Sequence, residues 1–146
     1  MQPIAIICLG NRFMPGDDLG CRVFDHLANT PLPADVALID GGLCGLDLLY
    51  LIEGKQRVVF ADAVTGMAAH DEIVVLERAG VAAYAANYGH GAGLPYLLHL
   101  LPQVCRAPLP EIALVGAESR LEASAAESTV HALAERCVAL AAAGFH

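Results

Sequence analysis

Short apolar runs of strand length, each broken by glycine, aspartate or proline, recur along the chain. Pro3–Leu9, Ala34–Ile39, Arg57–Ala61, Glu72–Glu77 and Glu111–Val115 are rich in β-branched residues. Several are continuously apolar and not alternating, which predicts strands covered on both faces. Pro3 is tolerable at the first position of a strand. The segments between follow another period. Asp18–Asn29 carries Val23, Phe24 and Leu27 at helical spacing, with an acidic pair in the first turn, where the helix dipole favours it. Gly45–Ile52 predicts a short helix closed by Gly54. Leu94–Leu101 predicts a helix with Pro95 in its first turn and Pro102 stopping it. Ser124–Ala143 predicts a long closing helix, and Ser124 and Glu127 have the spacing of a capping box. Gly80–Gly93 is rich in alanine and glycine, and its pattern assigns no element.

Strands and helices thus largely alternate. This predicts an α/β fold, a three-layer α/β/α sandwich with a five-stranded, mostly parallel sheet. The connection between the third and fourth strands is too short for a helical crossover, so the fourth strand is expected antiparallel at an edge. Repeats, low-complexity tracts and linkers are lacking, and residues 1–146 are read as a single domain.

Composition narrows the function. Hydrophobic residues make up 56% of the chain and charged residues 16%, which favours a sheet buried on both sides. The net charge of −8 comes with only eight basic residues and no basic cluster. Nucleic-acid binding is therefore disfavoured, since phosphate neutralisation supplies most of that affinity. No apolar run is long enough to cross a bilayer. Met1-Gln2-Pro3 lacks the basic start of a signal peptide. The five cysteines are scattered without a C-x-x-C pair, as expected of reduced thiols in a cytoplasmic protein.

Carboxylates gather where the predicted strands end. Asp17 follows the first strand, Asp40 ends the second, Asp62 ends the third and Glu118 follows the fifth. In open α/β sheets ligands bind outside these carboxyl ends. Each residue also has a plainer reading. Asp17 and Asp18 fit a helix cap, Asp40 before Gly41-Gly42 fits a turn, and Glu118 fits a solvated loop or a supporting position. Asp62 ends an apolar run, where a carboxylate needs a partner or a metal. His90 lies between two glycines; His70, His99, His131 and His146 have no motif around them. Two carboxylates and an imidazole at one sheet edge would suit a divalent first-row metal. Nucleophile-elbow, zincin and P-loop motifs are missing.

The strings Leu9-Gly10-Asn11 with Asp17-Asp18-Leu19-Gly20, Ile39-Asp40-Gly41-Gly42, Phe60-Ala61-Asp62-Ala63, His90 with Leu94-Pro95-Tyr96-Leu97-Leu98, and Leu114-Val115-Gly116-Ala117-Glu118 occur in order. With them the chain resembles the hydrogenase maturation endopeptidases, which trim the C-terminal extension of a nickel–iron hydrogenase large subunit. The resemblance runs from Ile4 to about Ala139. It implies that Asp17, Asp62 and His90 recognise nickel, with Asp18 competing with Asp17 for the first position. It implies that the nickel is supplied by the substrate and is not permanently bound, and that the partner is the large-subunit precursor. Other readings stay open: a non-catalytic maturation chaperone or metal-delivery protein for the same partner, a generic metallopeptidase with its own metal, and a small ligand-binding domain. The attacking group, the hydrogenase served and the oligomeric state are left open by the sequence.

Overall fold

The computed structural model describes residues 2–88, 93–119 and 124–145. Five strands, β1 (Ile4–Leu9), β2 (Val36–Gly42), β3 (Arg57–Val64), β4 (Ile73–Glu77) and β5 (Glu111–Glu118), form one sheet in the order β2-β1-β3-β5-β4. Every pairing is parallel except β4 with β5, so the antiparallel edge strand expected from the sequence is found.

Helices cover both faces because the strands are apolar on both. Ile4, Ile6 and Cys8 of β1, with Val59 and Ala61 of β3, pack on α1 (Leu19–Ala28) and α5 (Glu127–Ala143) through Val23, Leu27, Val130 and Leu133. The alternate residues Ala5, Ile7, Val58 and Phe60 pack on α2 (Leu48–Ile52), α3 (Arg78–Tyr88) and α4 (Leu94–Val104) through Ile52, Val81, Leu97 and Leu101. Phe60, Ile6 and Ile7 are wholly buried, and each such side chain stabilises the fold by about 1.5–3 kcal/mol of transfer free energy. No helix among the described residues is long and apolar enough to cross a membrane.

Several element ends differ from expectation. Asp62 does not end β3: the strand runs on to Val64, with Asp62 beside Gly116 and Val64 beside Glu118. β5 likewise continues through Gly116 to Glu118. A Cβ at Gly116 would sit 2.7 Å from Val64 Cγ1, so glycine here permits close strand packing and does not mark a strand end. β2 continues past Asp40 to Gly42, with a register shift opposite Cys8 and Leu9. The 45–47 segment is a turn, which leaves α2 shorter than expected, and residues 80–88 of the unassigned stretch lie in α3.

Pro102 does not stop α4. A proline there cannot donate to the Leu98 carbonyl one turn back, and Arg78 Nη2 donates to that carbonyl instead, at 3.2 Å. The capping box is not formed either. Ala126 is the N-cap of α5, Ser124 Oγ donates to Asp18 Oδ2 at 3.3 Å, and Glu127 pairs with Arg22 at 2.8 Å. α1 begins at Leu19, so the acidic pair precedes its first turn.

Candidate active site

The chain leaves β1 through α1 to β2 on one side, then returns through α2 to β3 on the other. A crevice therefore opens between β1 and β3 at the carboxyl edge, the place where such sheets bind ligands. Asp17 lies in the β1–α1 loop and Asp62 near the end of β3, one on each side of this crevice.

The Asp17 loop is held by backbone geometry. Gly10 takes φ +148°, and a Cβ on it would lie 2.4 Å from the Asp17 carbonyl. The Asn11 N–H donates to that carbonyl at 2.9 Å, and the Asp17 N–H donates to Met14 O at 3.0 Å. Gly20 matters more, because a Cβ there would meet Leu9 O at 1.9 Å and Ala61 O at 2.8 Å. Only glycine lets α1 start this close to both strands of the crevice. In the sequence Gly20 is one residue of a motif string, and this contact is not legible there because it depends on two strands distant in the chain.

Asp62 alternates with Phe60 and Val64, so it faces the α2–α4 layer. It is half-buried: it keeps a path to the surface, while its carboxyl group sits deep among protein atoms. Loss of hydration pushes it up to about 8; the Ala63 N–H, donating to Oδ1 at 2.8 Å, opposes this, and the Asp17 charge adds to it. Asp17 is also raised, by burial first; the Asn11 N–H lowers it and the Asp18 charge raises it. The Asp17 charge thus reaches Asp62, while Asp17 itself responds chiefly to its own burial. Nearby, burial and then the Asp62 charge push the Cys44 thiol up to about 12. Buried Cys8 is raised as well, mainly by desolvation. Neither is a ready thiolate nucleophile, and all five cysteines are free.

Asp40 and Glu118 have structural partners. Asp40 Oδ1 accepts the Gly42 N–H at 3.2 Å, the turn contact expected of it. Glu118 accepts the N–H groups of Gly66, Met67 and Ala68 at 2.7, 2.7 and 2.9 Å, binding the β3–β4 loop to the end of β5. Asp18, the competitor of Asp17, has one oxygen near Ser124 and the other, Oδ1, buried without a hydrogen-bond partner among the described residues. His131 stacks on His26, with ring centroids 4.4 Å apart. His90 lies outside the described residues. Among those residues no group of three or more His, Cys, Asp or Glu side chains is arranged to hold a metal ion.

Exposed apolar side chains occur in the two connections that leave the carboxyl ends of β1 and β2. Phe13 is 91% exposed and Met14 46%, both in the Asp17 loop, and Leu43 is 74% exposed and Leu46 52% in the β2–α2 connection. Tyr96, in the first turn of α4, is also exposed.

A family model described as hydrogenase maturation protease matches residues 21–142, a span that contains Asp62 and begins just after Asp17. The hydrogenase expression/formation protein HupD of Rhodobacter capsulatus is 34% identical over 64 residues. That match covers 43% of this chain and 30% of HupD, less than a third of the relative's length. A solution structure of an endopeptidase from Escherichia coli superposes with a TM-score of 0.74 at 26% identity, over 92% of this chain and 86% of that one. The crystal structure of a hydrogenase 2 maturation peptidase from a Thaumarchaeota archaeon superposes with a TM-score of 0.63 at 28% identity, over 98% and 99%.

Proposed function

Because the chain belongs to the hydrogenase maturation protease family, we propose that it is an endopeptidase that removes the C-terminal extension of a nickel–iron hydrogenase large-subunit precursor after nickel insertion. In this reading Asp17 and Asp62 are the carboxylates that engage the precursor's nickel, and His90 supplies the third ligand.

The observation that carries the proposal is the placement of two carboxylates, Asp17 in the β1–α1 loop and Asp62 near the end of β3, on either side of the switch-point crevice. An ionised Asp62 is costly there, and an incoming divalent cation removes that cost. Mixed carboxylate and imidazole donors suit nickel. Because burial raises Asp62, an incoming cation competes with its proton, and docking strengthens as pH rises. With the precursor's metal held at the crevice, the peptide to be cut lies beside the same carboxylates. A carboxylate positioned in this way can orient a water for attack and take its proton. The apolar rim of Phe13, Met14, Leu43 and Leu46 suits a polypeptide better than a small polar ligand.

The test is to incubate the protein with nickel-loaded and nickel-free precursor and read the precursor's mass. Loss of the C-terminal tail from the nickel-loaded form alone is expected, and Asp62→Asn should abolish it while the fold is kept. Normal processing by Asp62→Asn would end the assignment of that residue. A tail intact in both forms with the wild-type protein would favour the chaperone reading, and metal retained through purification with cleavage of generic peptides would favour a metallopeptidase.

A further inference from the structure

Ser119 is one of the two buried polar residues of the described core, at 7% exposure. It follows β5 directly, and two of its contacts bear on the candidate site. Its hydroxyl donates to the carbonyl of Gly16, the residue immediately before Asp17. Its backbone N–H donates to the carbonyl of Val64 at 2.9 Å, two residues beyond Asp62 on β3. A single side chain and its own peptide group thus tie together the two segments that present the candidate carboxylates.

We propose that Ser119 is a positioning residue for the carboxylate pair, holding the Asp17 loop at a set distance from the Asp62 strand. This rests on the reading of Asp17 and Asp62 as the groups that engage substrate. The Asp17 loop is also held by its internal turn bonds, by the Gly10 N–H on Gly42 O at 2.9 Å, by the Arg12–Asp25 ion pair at 2.6 Å and by Ser124 on Asp18, and none of these hydrogen bonds or ion pairs reaches β3. A hydroxyl donor to a buried carbonyl is a contact that water cannot replace without opening the loop. Displacing a reacting group by about 1 Å can cost on the order of a hundredfold in rate. The hydroxyl touches no substrate in this scheme, and it acts only through Gly16 and the loop.

The experiment uses the full chain with Ser119→Ala and Ser119→Thr, with two readouts. The first is processing of nickel-loaded precursor over a range of concentrations. Ser119→Ala is expected to lower kcat by about 10- to 100-fold and to raise KM as well, because Asp17 also takes part in docking on the metal. The second is amide hydrogen exchange, which needs no activity. The Asn11 and Asp17 amides should exchange faster in Ser119→Ala, while the amides of β1 keep their protection. Ser119→Thr, which restores the hydroxyl, should recover both. An alanine variant with wild-type kcat and unchanged exchange at Asn11 and Asp17 overturns the proposal. So does one whose loss of kcat comes with faster exchange throughout β1, since that marks general loosening. If the wild-type protein leaves the precursor uncut, the functional reading fails by itself. Exchange at Asn11 and Asp17 then decides the anchoring: faster in the alanine variant upholds it, and unchanged overturns it.

Discussion

Asp62 shows how one residue can work against the fold that holds it. In the folded protein it keeps its proton up to about pH 8, whereas an unhindered aspartate releases it near 3.8. Between these values the native state binds more protons than the unfolded one. The group's contribution to stability is therefore full below the unfolded value and is lost as pH rises through about 8. The amide introduced by Asp62→Asn would stay neutral throughout and could still accept the Ala63 N–H. Asp62→Asn is thus expected to match the wild type in thermal stability near pH 4 and to exceed it near pH 9, with the gap widening between these values. Unfolding scans at several pH values check this. A difference that does not change with pH would mean that Asp62 is hydrated and ionised in the fold. The same residue is expected to be essential for processing, so stability and function would move in opposite directions at one position.

At the scale of elements, the site depends on how α1 and the β3–β4 loop are seated. Gly20→Ala would drive a methyl group into the Leu9 and Ala61 carbonyls, so α1 must move away from the crevice. A cost of about 2–3 kcal/mol is expected, together with loss of processing, because Asp17 travels with the helix start. Denaturant titration and the precursor assay read the two effects, and a stable, active variant would show that the approach is slack. Glu118 governs the loop after β3. Desolvation pulls its carboxyl upward, but the three N–H donors from 66–68 outweigh this, with help from His70, and leave it below the ordinary value. Its contribution is present above pH 4.5, the unfolded value, and is lost as pH falls through the lower folded one. Glu118→Gln should cost about 1 kcal/mol at pH 7, after allowance for solvent at that rim. The gap to the wild type should narrow in acid, as read by denaturant titration at both pH values.

These elements also mark what could be read from the chain. The apolar runs of β1, β3 and β5 identify buried strands, because a parallel sheet covered on both faces demands them. The strand ends were less legible: Asp62 and Gly116 carry the usual marks of a stop, yet their neighbours remain in register. α3 has no clear apolar stripe to reveal it. α4 outlasts Pro102 only because Arg78, distant in the chain, takes over the Leu98 carbonyl. In the site, Asp17 and Asp62 stand out as carboxylates after apolar runs. Gly20, Ser119 and the loop-binding role of Glu118 do not, since each is defined by a partner far along the sequence.

Across the whole molecule, the sheet is assembled out of chain order. β1, made first, lies between β2 and β3, and β4 is made before β5 yet pairs only with it. Both β3 and β4 present an unpaired edge until α3, α4 and β5 have left the ribosome. In that interval the apolar run from Val58 to Ala61 can pair with the same run of another nascent chain, as exposed strand edges do. Ser119, at the end of β5, also arrives late. A truncated or slowly completed chain would therefore carry both carboxylates and still lack the arrangement that makes them useful. The antiparallel edge strand thus sets an order for biosynthesis: the carboxylate arrangement is completed only once β5 has covered the open edges of β3 and β4.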